Sequence, residues 1–441
     1  MQFSVLGPVR TGEAQAGVRG LVGRVTEQEG LIRSDPRERV ESLTGTARAE
    51  QLAGSGAAAR ATRAEAARAA VAADDVLRAA RAITSVTPAM VWSDHDHEET
   101  DEELVTLIRH TLERLPADEP ALRARLLSTL AAESAVTLDP LGAIDAAEEA
   151  IAIARRLGDD ELLALSLAAA SLANRRPDRF GRLLELGREL DRLGAGRGMP
   201  GVHALGLLVR SACLFAHGRL DSAMTLVEEV ELLTRTYELS DVAALPPLAK
   251  IGRRLAQGDE AGAEAALRAI VVAPDLSRRP RAAMFGLLCL RYAQGRFGEV
   301  EEHARRAGRS NPAMGQVLMA HVLLGQGRWD AAAALLLDPP EPRLDALWLC
   351  NKGMRADGVV ALGLREAAGP LYEELLPYAE RTCGGETGMF PIGPVAARLA
   401  RLAELLGRPS AEHWRGSLEV AELARAPRWI AEAHTGLERA C

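Results

Sequence analysis

Two stretches carry residue types that could do chemistry. In WSDHDHEETDEE, Trp92 to Glu103, the imidazoles of His95 and His97 alternate with the carboxylates Asp94, Asp96, Glu98 and Glu99. Such nitrogen and oxygen donors suit a divalent ion, and a His-x-His pair in a loop can supply two ligands to zinc. A third and fourth ligand are not marked at a suitable spacing, so a metal-binding or enzymatic reading rests on residues 92–103 alone. The competing reading is electrostatic, because carboxylates gather ahead of a helix whose N-terminus attracts negative charge. Asp94 to Glu119 holds ten acids and two arginines, an excess equal to the formal charge of −8 on the whole chain. The stretch therefore reads as an acidic, solvated face, with Trp92, His95 and His97 as the contacts it would offer a partner.

The second stretch is TCGGETGMFPIGP, Thr382 to Pro394. Its glycines suggest a phosphate cradle, but no Gly-Lys-Ser/Thr ending follows, so the P-loop reading fails. It reads instead as a flexible connection between two helices, with Phe390 and Ile392 packing back. Trp348 and Phe390 complete the candidate partner or ligand contacts. His203, His217, His303 and His321 fall at repeat positions and read as helix-packing residues. Five cysteines stand at least 33 positions apart, without the paired spacing that closes a zinc site, and are expected as reduced thiols. No Ser-His-acid set, nucleophile elbow or paired-carboxylate motif stands out. The expectation is a protein that is not an enzyme, with no catalytic, cofactor-binding or metal residue assigned.

The elements that position these residues are read from a repeat. A small turn followed by an Ala-rich amphipathic segment recurs at HGRLDSAM, QGDEAGAE, QGRFGEVE, QGRWDAAA, LGLREAAG and LGRPSAEH, with Gly218, Gly258, Gly295, Gly327, Gly363 and Gly407 as landmarks. Their spacings of 40, 37, 32, 36 and 44 fit helix-turn-helix repeats of tetratricopeptide character. Asp35, Pro36 and Glu38 predict a helix start, with an acceptor at the cap and proline at the first helical position. Thr100 and Glu103 repeat the capping-box spacing. From Ala143 to Leu157, Ile144, Ala147, Ile151 and Ala154 form one apolar stripe, and Gly158 supplies a left-handed stop. Only MQFSVLGPVR at the start alternates like a strand. The fold expected is all-α: an irregular lead-in over residues 1–34, then a tetratricopeptide-like solenoid of about ten helix pairs over 35–441, wound into one right-handed superhelix.

Length and charge narrow the function classes. A chain of 441 residues with 48% apolar and 26% charged side chains can bury a core and is not disordered by composition. Its 53 basic against 61 acidic residues disfavour a phosphate backbone as the main partner. No signal peptide or spanning segment is evident, so a cytoplasmic protein is expected.

Several stretches resemble the helical C-terminal region of large bacterial transcriptional regulators, of the bacterial transcriptional activator domain and antibiotic-pathway type. They are ERLPADEPALRARLLSTLAAE from Glu113, AEEAIAIARRLGDDELLALSL from Ala147, and the end from Leu371 with its LLPYA, GPVA and APRW. WSDHDHEETDEELVTLI is similar to the acid-rich join before a repeat helix in the same families. MQFSVLGPVR resembles the first strand of their winged-helix domain, yet neither the rest of a winged helix nor a Walker motif follows. The resemblance thus implies a non-catalytic regulatory protein whose concave groove holds a protein partner or a small-molecule effector and which modulates transcription, in a specialised metabolic pathway. The alternative it leaves is direct DNA binding through a degenerate N-terminal domain.

Overall fold

The computed structural model describes residues 35–53, 55–86, 102–135, 140–239, 242–243, 245–272 and 280–440. The lead-in 1–34, and with it the strand-like start, lies outside them. Among the described residues every regular element is helical, apart from one isolated antiparallel bridge between Thr382 and Pro394. The all-α expectation holds.

Contacts divide the chain into two compact units. Unit 1 takes residues 1–174, 189–205 and 236–239; unit 2 takes 175–188, 206–235 and 240–441. Unit 1 opens with α1 (Pro36–Leu52), α2 (Gly56–Ala72), α3 (Val76–Ile83), α4 (Glu102–Arg114), α5 (Pro120–Ser134), α6 (Pro140–Leu157) and α7 (Asp160–Ala173). The unit boundaries fall inside α8 (Phe180–Arg197), α9 (Pro200–Ala216) and α10 (Leu220–Tyr237). Unit 2 continues through α11 (Leu245–Ala256), α12 (Glu260–Val272), α13 (Pro280–Ala293), α14 (Glu301–Ser310), α15 (Pro312–Gly325), α16 (Trp329–Leu337), α17 (Trp348–Ala361), α18 (Arg365–Leu375), α19 (Val395–Leu406), α20 (Ala411–Leu423) and α21 (Pro427–Ala440).

The start at Asp35 and the stops at Gly158 and the landmark glycines follow the sequence signals, while the Thr100 cap lies outside the described residues. Asp35 caps α1 by accepting from the Arg37 N–H at 2.9 Å, with Pro36 at the first helical position. The stripe Ala143, Ile144, Ala147, Ile151 and Ala154 of α6 is buried, and Gly158 ends it at φ 66°. All six landmark glycines have φ between 65° and 82°. Each follows a helix, and the residue after it reaches back five positions, as in Arg219 N to Leu214 O and Leu364 N to Val359 O. That pair of bonds satisfies the last carbonyls of the helix and needs a left-handed residue, which is why glycine recurs there.

Within unit 1 the helices pack in succession from α1 to α7. Small alanines let them approach closely, as in the core of Val40, Ala66, Ala70, Ala79 and Ala82. One ion pair is fully inside: Arg63 of α2 donates to Glu133 of α5 at 2.5 Å, with the two side chains 0% and 3% exposed.

Unit 2 also packs in succession from α11 onward, and it then closes on itself. Its last turn, between α20 and α21, lies against its first helices. Ala424 and Ala426 join Phe215, Leu220, Met224 and Val227 in one buried cluster, with Trp429 against it. Asp221 of α10 is shared by Arg253 at 2.6 Å and Arg425 at 3.0 Å, and Arg428 pairs with Glu260. The apolar seam supplies most of this closure, because exposed ion pairs contribute about 0–1 kcal/mol each while a fully buried phenylalanine contributes several.

Candidate functional site

Inside unit 2 lies the glycine-rich stretch Thr382–Pro394. Every residue of it except the partly covered Ile392 is buried. It is therefore not a slack connection. Its polar backbone, which would be costly to bury unpaired, is satisfied along its length. Thr382 N–H donates to Ala216 O at 2.8 Å and its hydroxyl donates to Phe215 O at 3.0 Å, tying it to α9. Cys383 N–H donates to Gly393 O, Ile392 N–H to Cys383 O, and Val395 N–H to Arg381 O, each at 2.8 Å. The segment folds over as a short two-sided strap.

Helix glycines and the strap's own glycines make room for it. A methyl group on Gly252 of α11 would run into the Met389 carbonyl oxygen. One on Gly286 of α13 would lie 2.6 Å from Cζ of Phe390, and one on Gly353 of α17 would lie 2.5 Å from Sγ of Cys383. Gly388 itself abuts Ala212 of α9. Bare backbone on both sides lets the strap sit among four helices of its own unit.

Charged side chains fasten it. Arg398 of α19 donates to Pro394 O at 3.1 Å and to Ile392 O at 3.0 Å. The same guanidinium reaches Asp357 of α17 at 3.0 Å, and Arg401 lies 3.1 Å from the other Asp357 oxygen. Tyr292 of α13 donates to Asp357 at 2.5 Å. Burial acts to raise the Asp357 pKa, but Arg398, Arg401 and the Tyr292 hydroxyl outweigh it and hold the carboxyl below its usual value. Burial raises Tyr292 well above the ordinary phenol value. His321 sits edge-on to Tyr292 and stacked on Phe297, with Nε2 2.8 Å from Met354 O. Desolvation lowers its pKa, so it stays neutral at pH 7.

Two further cations are held within unit 2. Lys352 of α17 is fully buried, between Glu374 at 2.8 Å and Glu341 at 3.1 Å, with its ammonium 5.3 Å from the Trp348 ring centroid. Before the strap, the Arg381 guanidinium lies 4.1 Å from the Phe180 centroid and 5.5 Å from that of Tyr378. Cys213, Cys289, Cys350 and Cys383 are all buried free thiols. Burial pushes Cys213 and Cys383 up to about 12, which leaves almost no thiolate at neutral pH.

Of the candidate contacts, Trp348 is 7% exposed and edge-on to Tyr378, and Phe390 is 0% exposed and edge-on to Phe285. Both lie in the unit 2 interior, one at the head of α17 and one in the strap. Trp92, His95 and His97 lie outside the described residues. Among the described residues no group of three or more His, Cys, Asp or Glu could hold a metal ion. None of the described helices is long and apolar enough to cross a membrane. In unit 1 a shallow hollow of about 320 Å³ is lined by Val40, Ala70, Leu77, Arg37, Arg78 and Arg114 among others.

Glu386, Asp357, Arg398 and Lys352 are absent from the candidates drawn from sequence. Each had a signal. Glu386 is the single charge in a thirteen-residue stretch, Lys352 is one of two lysines, and Asp357 and Arg398 interrupt apolar helix faces.

No protein-family model and no curated protein matches the chain. Among solved structures, a "Circular tandem repeat protein with novel repeat topology and enhanced subunit contact surfaces" aligns over 97% of this chain and 90% of its own at 17% identity, with a TM-score of 0.15. At that score the likeness carries neither fold nor function. The class of protein rests on the helices themselves: an all-α helical-repeat protein.

Proposed function

We propose that the chain is a non-catalytic regulatory scaffold that binds a protein partner or signal molecule and modulates transcription. The observation that carries the scaffold reading is the use made of the buried charges in unit 2. Asp357, Arg398 and Arg401 are spent on one another and on the strap backbone, and Lys352 on Glu341 and Glu374, at positions where a reaction centre would leave them facing a cleft. Stacked helix pairs of this kind offer extended surfaces, and repeat proteins use such surfaces for contact. The transcriptional part of the reading is supported by the resemblance of the stretches from Glu113, Ala147 and Leu371 to the helical regions of bacterial regulators.

Affinity capture of the intact protein from native extract, paired with transcript profiling of a deletion strain, tests it. The expected result is one reproducible stoichiometric partner or effector and a confined set of altered transcripts. No specific partner and an unchanged profile would remove the proposal.

A further inference from the structure

One residue of the strap is chemically out of place. Glu386 is 6% exposed, and no other residue donates a hydrogen bond to either of its carboxylate oxygens. Its neighbours Gly385 and Thr387 are buried as well, and Gly385 is pressed against Ala216 and the Phe215 carbonyl. An ionised carboxylate here would be a buried charge to which no other residue is hydrogen-bonded, one of the costliest states a folded chain can hold. The rest of the strap carries no acid that could share the load.

Its electrostatic surroundings do little to help. Among the described residues Arg381, in the turn before the strap, is the cation that acts on it. Tyr378 from the same turn, Cys383 within the strap and Cys350 from α17 also feel its charge, and ionised Glu386 would raise all three. Burial is the largest influence and pushes the carboxyl up to about 8, against the opposing pull of its own backbone N–H and of Arg381.

We propose that Glu386 makes Thr382–Pro394 a pH-sensitive strap: with the carboxyl neutral the segment stays seated among α9, α11, α13, α17 and α19, and ionisation of the carboxyl shifts the equilibrium toward a released form that opens the unit 2 interior. The direction follows from linkage. The seated form holds the proton to about 8 and the released form loses it near the ordinary value of 4.5. Release is therefore least favoured below pH 4.5, rises with pH between the two values, and levels off above about 8. Between pH 6.5 and 8 the release equilibrium should rise about fifteenfold. Asp345, a second buried carboxyl held up to about 6, has largely finished titrating at the lower end of that window.

The experiment is hydrogen exchange of the intact protein at pH 6.5 and 8, corrected for intrinsic rates, on wild type and Glu386→Gln. In the wild type, protection of residues 382–395 should fall roughly tenfold or more between the two conditions while α17 and α19 hold theirs. In Glu386→Gln, which keeps the shape and cannot ionise, protection should be the same at both. Equal wild-type protection at both values, or an equal pH-dependent loss in Glu386→Gln, would overturn the proposal. Should the variant fold poorly, maleimide labelling of Cys383 in the wild type, normalised to the urea-unfolded chain, gives the same reading: acceleration confined to Cys383 supports release, and no acceleration rejects it.

Discussion

At the scale of the residue, unit 2 depends on what is missing from some side chains and what is paired in others. Gly252 faces the Met389 carbonyl oxygen with no room for a methyl group, and the obstacle is backbone that cannot rotate away. Gly252→Ala should cost about 1–3 kcal/mol or more, read as a lower urea midpoint with an unchanged slope. Asp357 answers Arg398, Arg401 and Tyr292 at once. Asp357→Ala leaves a buried guanidinium without its partner and should cost about 3–5 kcal/mol, whereas Asp357→Ala with Arg398→Met should cost less than the sum of the two single changes. Equal additivity in that cycle would show that the pair does not interact. The charge pairs were not legible in the sequence, because Asp357 and Arg398 stand 41 positions apart and only the tertiary packing of α17 on α19 brings them together. Glu386 is visible as a solitary acid among glycines, but the strap that carries it is seated against bare helix backbone at Gly252, Gly286 and Gly353, which no local spacing announces.

At the scale of the element, local rules suffice. Helix after helix ends in a left-handed glycine whose flanking bonds close the last turn, and Gly363 is a clean case: φ is 65° and nothing lies within 4 Å of where a methyl would stand. Gly363→Ala should therefore cost about 1–2 kcal/mol through backbone conformation alone, and Gly363→Asn less, since asparagine tolerates this region better. A thermal or urea comparison of the two variants checks it, and an alanine variant as stable as wild type would refute the turn geometry. These turns, the Asp35 cap and the α6 stripe were readable from sequence because each is fixed by residues within a few positions of one another. The strap escaped that reading for the opposite reason. Its glycines resemble those of any loop, and what makes it interior is a set of partners in α9 that lie 167 residues away.

At the scale of the whole molecule, the chain is described as two compact helical units, of which the second closes through a seam between its first and last helices. The seam is apolar at heart, so Phe215→Ala should cost about 3–5 kcal/mol, while Arg425→Ala and Arg428→Ala should each cost under about 1 kcal/mol and fade with salt. The central claim is that the glycine-rich strap is part of the unit 2 core, and four native thiols report on it directly: Cys213 in α9, Cys289 in α13, Cys350 in α17 and Cys383 in the strap. Maleimide labelling of the folded protein at pH 6.5, read site by site with mass spectrometry, should leave all four unreacted until they become reactive together in one cooperative urea step. Cys383 labelling at the rate of an unfolded peptide, while the three helix thiols stay protected, would contradict the account.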